Sequence, residues 1–285
     1  MVGVGKKNKA GTGDAETRTA SRLSPFRYPG GKTWLRKRIL EWIASDGLKP
    51  RLFVEPFAGG ASVALAVAEL GVAGRVLIIE RDPQVAAVWR TILSDRWQQL
   101  ARQIRRFKMT RKSVDAVLRA KPADDVSIAF RCLLKNRISR GGILAHGAGI
   151  LRRGEDGNGL RSRWYPEGLS ARIKAVYELR DRLDFREGDG LDFIRKHLES
   201  KRTVIFADPP YSVRSSHPGW RLYDFKDFDH CELFETLAGF AGRCAITYTE
   251  SRPIRRLAEE YGFQIERLPM RTTHHRQRFE LFMHK

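Results

Sequence analysis

The sequence predicts an α/β fold: a mostly parallel sheet with helices on both faces, interrupted by a mainly helical insertion. Three observations lead there. Short apolar runs with turn residues after them alternate with longer helix-like segments. Residues 101–182 break that rhythm, with helices and no convincing strand. The chain has 285 residues, 42% of them hydrophobic, which suffices for a packed core and excludes a chain without one.

The elements follow in order. Thr33 to Ala44 reads as a helix with Trp34, Ile39, Leu40 and Ile43 apolar. Leu52 to Val54 is a short buried strand, and Gly60 to Leu70 an Ala-rich helix. RVLIIE (75–80) is a second strand. Pro83 to Leu100 reads as one helix, with Pro83 suited to a first turn. After the insertion, a strand around Phe185 precedes Asp189, and TVIFA (203–207) is a buried strand. Cys244 to Tyr248 is another, followed by a helix over 253–261. Phe263 to Leu268 and Phe279 to Phe282 complete the strands. The expected organisation is a disordered basic tail (1–25), a catalytic domain (26–100 and 183–285) and the insertion (101–182).

Charge narrows the partners. The formal net charge is +20, and the tail, with five basic and two acidic residues, holds only +3 of it. Residues 96–119 carry eight basic and one acidic residue, and residues 131–163 eight and two. Two such runs side by side predict a surface for a polyanion, nucleic acid first. No run approaches the ~18 apolar residues of a membrane helix. Cys132, Cys231 and Cys244 are widely spaced, which argues against a disulfide framework or a cysteine zinc site.

The chemistry concentrates in three motifs. Asp208-Pro209-Pro210-Tyr211 directly follows the strand TVIFA, and ligands in open α/β sheets bind beyond the carboxyl ends of strands. The prolines stiffen the backbone and carry no N–H. The Asp208 and Pro209 carbonyls thus stand as fixed acceptors beside the Asp208 carboxylate, which suits an amino group. Tyr211 offers a flat face to a base. Second, FVEPFAGGASVAL (53–65) runs a strand through a glycine turn into a helix. Its helix N-terminus offers free N–H groups, but the dinucleotide G-x-G-x-x-G is not matched. The next strand ends in Glu80, placed to accept from a ribose diol; Asp82, before Pro83, is placed to cap a helix. Third, FRYPGGKT (26–33) ends like a P-loop but has no preceding strand and has Phe26 where the first glycine belongs. It is either a turn before a helix or a lid carrying Tyr28 and Lys32 to a carboxylate-bearing ligand.

FRYPGGKT, VEPFAGGASVAL, the strand ending in Glu80, and DPPY, in this order, resemble the Dam-type DNA adenine-N6 methyltransferases. The segments LLKNRISRGG (133–142) and RSRWYPEGLSARI (161–173) resemble the region before the catalytic strand in that family. The resemblance implies a Rossmann-like methyltransferase sheet with S-adenosylmethionine (AdoMet) as cofactor and a target-recognition insertion. Tyr28 and Lys32 would contact AdoMet. Phe57, Ala58, Gly59, Gly60 and Ala61 would wrap it, Glu80 would hold its ribose, and Asp189 would lie near its adenine. Asp208, Pro209, Pro210 and Tyr211 would bind the target adenine, with Asp208 also bordering the cofactor. Tyr28 stands where the family often has Trp, and Gly190 where many members carry an aromatic residue.

The implied reaction is methyl transfer to the amino group of an adenine drawn out of duplex DNA. Arg137, Arg140, Arg152, Arg153, Arg161 and Arg163 are the candidates to read guanines or hold phosphates. Double-stranded DNA is the expected partner of a single, cytoplasmic copy of the chain, with no metal and no membrane. None of the cysteines follows a proline, as one expects for attack on cytosine carbon. The alternatives are an RNA adenine or DNA cytosine-N4 methyltransferase, and a catalytically silent DNA-binding module.

Overall fold

The computed structural model describes residues 23–27, 31–144, 149–151, 154, 157–210, 228–270 and 278–285. A 3-10 turn (Lys32–Trp34) leads into α1 (Arg36–Ala44), β1 (Leu52–Glu55), α2 (Ser62–Leu70) and β2 (Arg75–Glu80). Helices α3 (Pro83–Ile92), α4 (Trp97–Arg106), α5 (Arg111–Arg119), α6 (Asp125–Ile138) and α7 (Pro166–Glu178) follow. Then come β3 (Leu183–Glu187), α8 (Gly190–Arg195), β4 (Thr203–Ala207), α9 (His230–Ala238), β5 (Arg243–Thr249), α10 (Arg252–Glu260), β6 (Gln264–Met270) and β7 (Arg278–His284).

The strands form one seven-stranded sheet in the order β3-β2-β1-β4-β5-β7-β6. β1 pairs in parallel with β2 and β4, β2 with β3, and β4 with β5. β7 inserts antiparallel between β5 and β6. This is the Rossmann-like α/β arrangement that the alternation of elements predicts. The strand order reverses between β1 and β4, so their carboxyl ends frame a crevice.

Alternate strand residues feed opposite layers, as the period of two requires. Phe53, Val76, Val204 and Phe206 join the core beneath α1, α2 and α3. Val54, Ile205, Ala207 and Ile246 join the other, with α8, α9 and α10. The insertion is helical, as expected, and among the described residues it builds no separate core. Its Phe130, Leu133, Trp164 and Ile173 belong to the same cluster as Ile39, Val63 and Trp89.

Two readings change. The single helix expected over 83–100 is two helices, broken at 93–96. There the Ser94 hydroxyl donates to the Thr91 carbonyl, and Trp97 N–H to the Ser94 carbonyl, so the chain turns before α4 starts. Apolar spacing runs unbroken through the turn, which is why periodicity hides it. The tail also ends earlier than residue 25. Leu23, Pro25 and Phe26 are buried, and the Ser24 hydroxyl donates to the Gly60 carbonyl at 2.6 Å. The remainder of the expected disordered tail lies outside the described residues.

Candidate active site

Three strand ends meet at the crevice. β1 leads into Pro56 and Phe57, β2 ends in Glu80, and β4 leads into Asp208. With Gly59, Asp189, Pro210 and Phe228 these residues line one cleft.

The glycine turn is held from both sides. Ala58 N–H donates to the Ile79 carbonyl at 2.9 Å, and the Trp89 indole donates to the Gly59 carbonyl at 3.0 Å. Gly59 lies at φ 45° and Ala61 at φ 48°, so the turn places a non-glycine residue in the left-handed region. That conformation costs roughly 1–2 kcal/mol, and alanine offers the smallest side chain that can bear it.

Glu80 is the hub of the turn. One oxygen accepts from Gly59 N–H at 2.8 Å, the other from Arg81 and Asp82 N–H, each at 2.8 Å. Burial pushes its carboxyl up to about 7, although these backbone donors oppose the shift. A carboxylate has about four acceptor positions, so Glu80 can take a further hydroxyl. Asp82 caps α3 by accepting from Gln84 and Val85 N–H, as its place before Pro83 suggests. Asp189 caps α8 in the same way and lies 3.2 Å from the Arg81 guanidinium. Phe57 meets Phe228 edge to face at 5.3 Å, giving the cleft an aromatic wall.

At the other end of the cleft lies a buried charge cluster. Lys32 is 3% exposed, with Nζ 2.8 Å from Asp208 Oδ1 and 3.1 Å from Glu280 Oε1. Burial pulls the ammonium pKa down, but the two carboxylates outweigh it and hold Lys32 above its ordinary value. Thr247 donates its hydroxyl to Asp208 Oδ1 at 3.0 Å. Glu55, at 4% exposure, accepts from Ala64 N–H at 2.7 Å. Burial, helped by the Asp208 charge, pushes Glu55 up to about 8. Tyr248, also buried, shares a 2.6 Å hydrogen bond with His230 Nδ1.

Among the described residues, Phe57, Gly59, Glu80, Asp189, Asp208 and Pro210 come together on the cleft, and Lys32, expected to contact AdoMet, is instead a buried partner of Asp208. Sequence reasoning missed Glu55, Thr247, Phe228 and Glu280. Glu55 lies within the quoted FVEPFAGG run, where an acid inside an apolar strand is itself a signal. Tyr28, Tyr211, Arg152 and Arg153 lie outside the described residues.

The candidate DNA-contacting arginines divide. Arg140 and Arg161 are exposed and Arg163 is partly buried, donating to the Ser139 carbonyl at 3.2 Å. Arg137 is 4% exposed and donates to the Pro25 carbonyl at 2.6 Å. Burial, followed by the positive charges of Arg172, Arg27 and Arg163, lowers it to about 9. Its guanidinium faces inward, which corrects its placement among residues that present a charge to DNA.

Residues 28–116 match the family model of the D12 class N6 adenine-specific DNA methyltransferases. The match takes in Lys32, Glu55, the glycine turn and Glu80, and runs into α5. Asp189, Asp208 and Glu280 lie beyond it. No curated protein matches the chain in sequence. Among solved structures, the chain is similar to a Pyrococcus horikoshii protein assigned as an RNA methyltransferase, at 12% identity over 95% of each chain, TM-score 0.43. It is similar to an rRNA methyltransferase of Streptomyces viridochromogenes, at 14% identity over 88% of this chain and 83% of that one, TM-score 0.39. Magnesium protoporphyrin IX methyltransferase of Synechocystis, with bound SAM, is 12% identical over 98% of this chain and 86% of that one, TM-score 0.35.

Proposed function

We propose that the chain is an AdoMet-dependent DNA adenine-N6 methyltransferase that acts on an adenine turned out of the duplex. The observation that carries the reading is the cleft where the matched glycine turn and Glu80 face Asp208 and Pro210.

The donor set of the cleft fits adenosylmethionine. Glu80 has capacity for a ribose hydroxyl, Phe57 and Phe228 offer apolar faces, and Asp189 supplies a carboxylate at the β3 end of the cleft. When bound, the cofactor supplies an electrophilic methyl group on a sulfonium. The rest of the chemistry is positioning by the protein. An adenine amino group is a weak nucleophile because its lone pair conjugates into the ring. The Asp208 carboxylate and the Pro209 carbonyl accept its two N–H bonds, which favours a pyramidal nitrogen with the lone pair pointed at the methyl. AdoMet held by Phe57, Glu80 and Asp189 would give up that methyl group and leave as the neutral thioether, and the amine, held at Asp208 and the Pro209 carbonyl, would release its surplus N6 proton to solvent. The prolines supply no N–H that would compete for the amine's acceptors. A duplex hides that nitrogen in the stack, so the base must leave it first.

The test is tritium transfer from labelled AdoMet to duplex DNA and to RNA, followed by nucleoside analysis. N6-methyldeoxyadenosine from DNA is the expected product; methylated RNA adenine or N4-methylcytosine instead removes the reading. Asp208→Ala is expected to lose about 10²–10³ in rate or more while still folding, since the residue is partly exposed at a strand end. A folded variant with near wild-type turnover rules out the assignment of Asp208.

A further inference from the structure

Glu280 lies beyond every motif read from the sequence and beyond the family match. It sits on β7, opposite Thr249 of β5 and Leu268 of β6. Its side chain is 3% exposed and points at Lys32. One buried ammonium therefore serves two buried or half-buried carboxylates, at 2.8 Å and 3.1 Å.

A carboxylate is a strong hydrogen-bond acceptor in proportion to the negative charge it keeps. A lysine held by Asp208 alone would place its full charge against that oxygen, in surroundings where water screens little. A second anion on the far side of the ammonium shares that charge. We propose that Glu280 is a positioning residue for methyl transfer: it draws Lys32 partly off Asp208 and so keeps the Asp208 carboxylate a strong acceptor for the substrate amino group. This rests on the assignment of Asp208 to that amine. No proton moves and no bond changes at Glu280 itself.

Among the described residues, Asp208 has Lys32 of the N-terminal turn, Glu55 of β1 and Thr247 and Tyr248 of β5 around it, with Glu280 of β7 behind Lys32. Across the cleft stand Glu80, Arg81, Asp82 and Asp189. Glu280→Gln keeps an oxygen for Lys32 and removes one negative charge. Lys32 then pairs more fully with Asp208, and the acceptor strength of that carboxylate falls.

The experiment uses the full chain with carbon-13-labelled aspartate carboxyls, Asp208 being assigned through Asp208→Asn. In E280Q the Asp208 carboxyl resonance is expected to move at fixed pH, reporting the closer ammonium. The single-turnover rate on duplex DNA is expected to fall about tenfold or more, with AdoMet affinity within about twofold of wild type. In a Lys32→Met background, adding E280Q should change the rate less than about twofold, because the route through Lys32 is gone. A residue that only supports the fold would lower the rate equally in both backgrounds and leave the Asp208 carboxyl resonance in place; either result overturns the inference. Should E280Q alone not fold, the Lys32→Met pair, which loses one charge of each sign, decides the matter by the same comparison. A wild-type chain that methylates no adenine, with the Asp208 resonance still moving in E280Q, removes the proposed function and leaves the charge sharing. Adenine methylation with an unchanged resonance and rate in E280Q removes the inference and leaves the function.

Discussion

At the scale of single residues, the site holds two carboxyl groups that burial pushes up, Glu55 and Glu80. Glu55 stands out because it is buried and sits beside the Asp208–Lys32 pair. Its folded value of about 8 lies above the ordinary 4.5. The sign of the effect on stability follows from that order. Below pH 4.5 both folded and unfolded chains hold the proton, and the contribution is fully present. Above it the unfolded chain releases the proton first, so stability declines by about 1.4 kcal/mol per pH unit until the folded group ionises near 8. Glu55→Gln keeps an oxygen for the Ala64 N–H and abolishes the titration. Urea unfolding between pH 5 and 8 should therefore show wild type losing stability relative to E55Q as pH rises. Parallel profiles for the two proteins would mean that Glu55 is ionised in the fold. Glu80, raised to about 7, contributes the same trend to both proteins and cancels in the comparison.

At the scale of elements, the N-terminal motif is tied to the insertion by one side chain. Asn136, near the end of α6, is fully buried and behaves like a strand partner for residue 27. Its Oδ1 accepts from Arg27 N–H at 2.9 Å, and its Nδ2 donates to the Arg27 and Gly142 carbonyls at 2.9 and 2.7 Å. Gly142 lies at φ +75°, and a Cβ there would stand 2.1 Å from the Arg27 carbonyl oxygen. Gly142→Ala should then cost about 2 kcal/mol or more, through strain and through displacement of residue 27. Asn136→Ala should cost about 3 kcal/mol, because it leaves buried backbone groups without partners. Because residue 27 leads towards Lys32, calorimetry should find weaker AdoMet binding in both; wild-type stability and affinity in Gly142→Ala would contradict the tie. Most strands were legible in the sequence, since parallel strands covered on both faces read as unbroken apolar runs such as TVIFA. The placement of β7 between β5 and β6 was not, because register between distant segments leaves no local trace. Glu280 was hidden for the same reason: in FELF an acid flanked by apolar residues reads as an outward position. Only the neighbouring strands and Lys32 turn it inward. The break before α4 escaped because Ser94 and Asp95 are a weaker signal than the apolar spacing that continues through them.

At the scale of the whole molecule, charge rather than shape sets the encounter with a partner. Of the +20 total, +17 lies outside residues 1–25, and the runs at 96–119 and 131–163 fall largely on the insertion. Burial decides which of those charges can neutralise a phosphate. Arg140 and Arg161 are exposed, Arg161 donating from Nε to the Met109 carbonyl at 3.3 Å, whereas Arg137 is enclosed and holds the Pro25 carbonyl. The two kinds should separate in binding measured against salt. Phosphate contacts give a log–log slope of about −0.9 per phosphate neutralised. Arg140→Ala and Arg161→Ala are each expected to weaken binding to all duplexes alike and to flatten the slope by about 0.9 where the residue meets a phosphate. Where one of them reads a base, its loss should instead cost about 1–3 kcal/mol at a single position and relax specificity there. Arg137→Ala should do neither: it should lower the unfolding midpoint and leave the salt slope of the remaining folded protein unchanged. A library of duplexes at two salt concentrations, with thermal unfolding of each variant, distinguishes these outcomes. A flattened slope in Arg137→Ala with wild-type stability would place that guanidinium on the DNA after all. Unchanged slope and preference in both exposed variants would move recognition away from 140 and 161, towards the basic residues of α4 and α5.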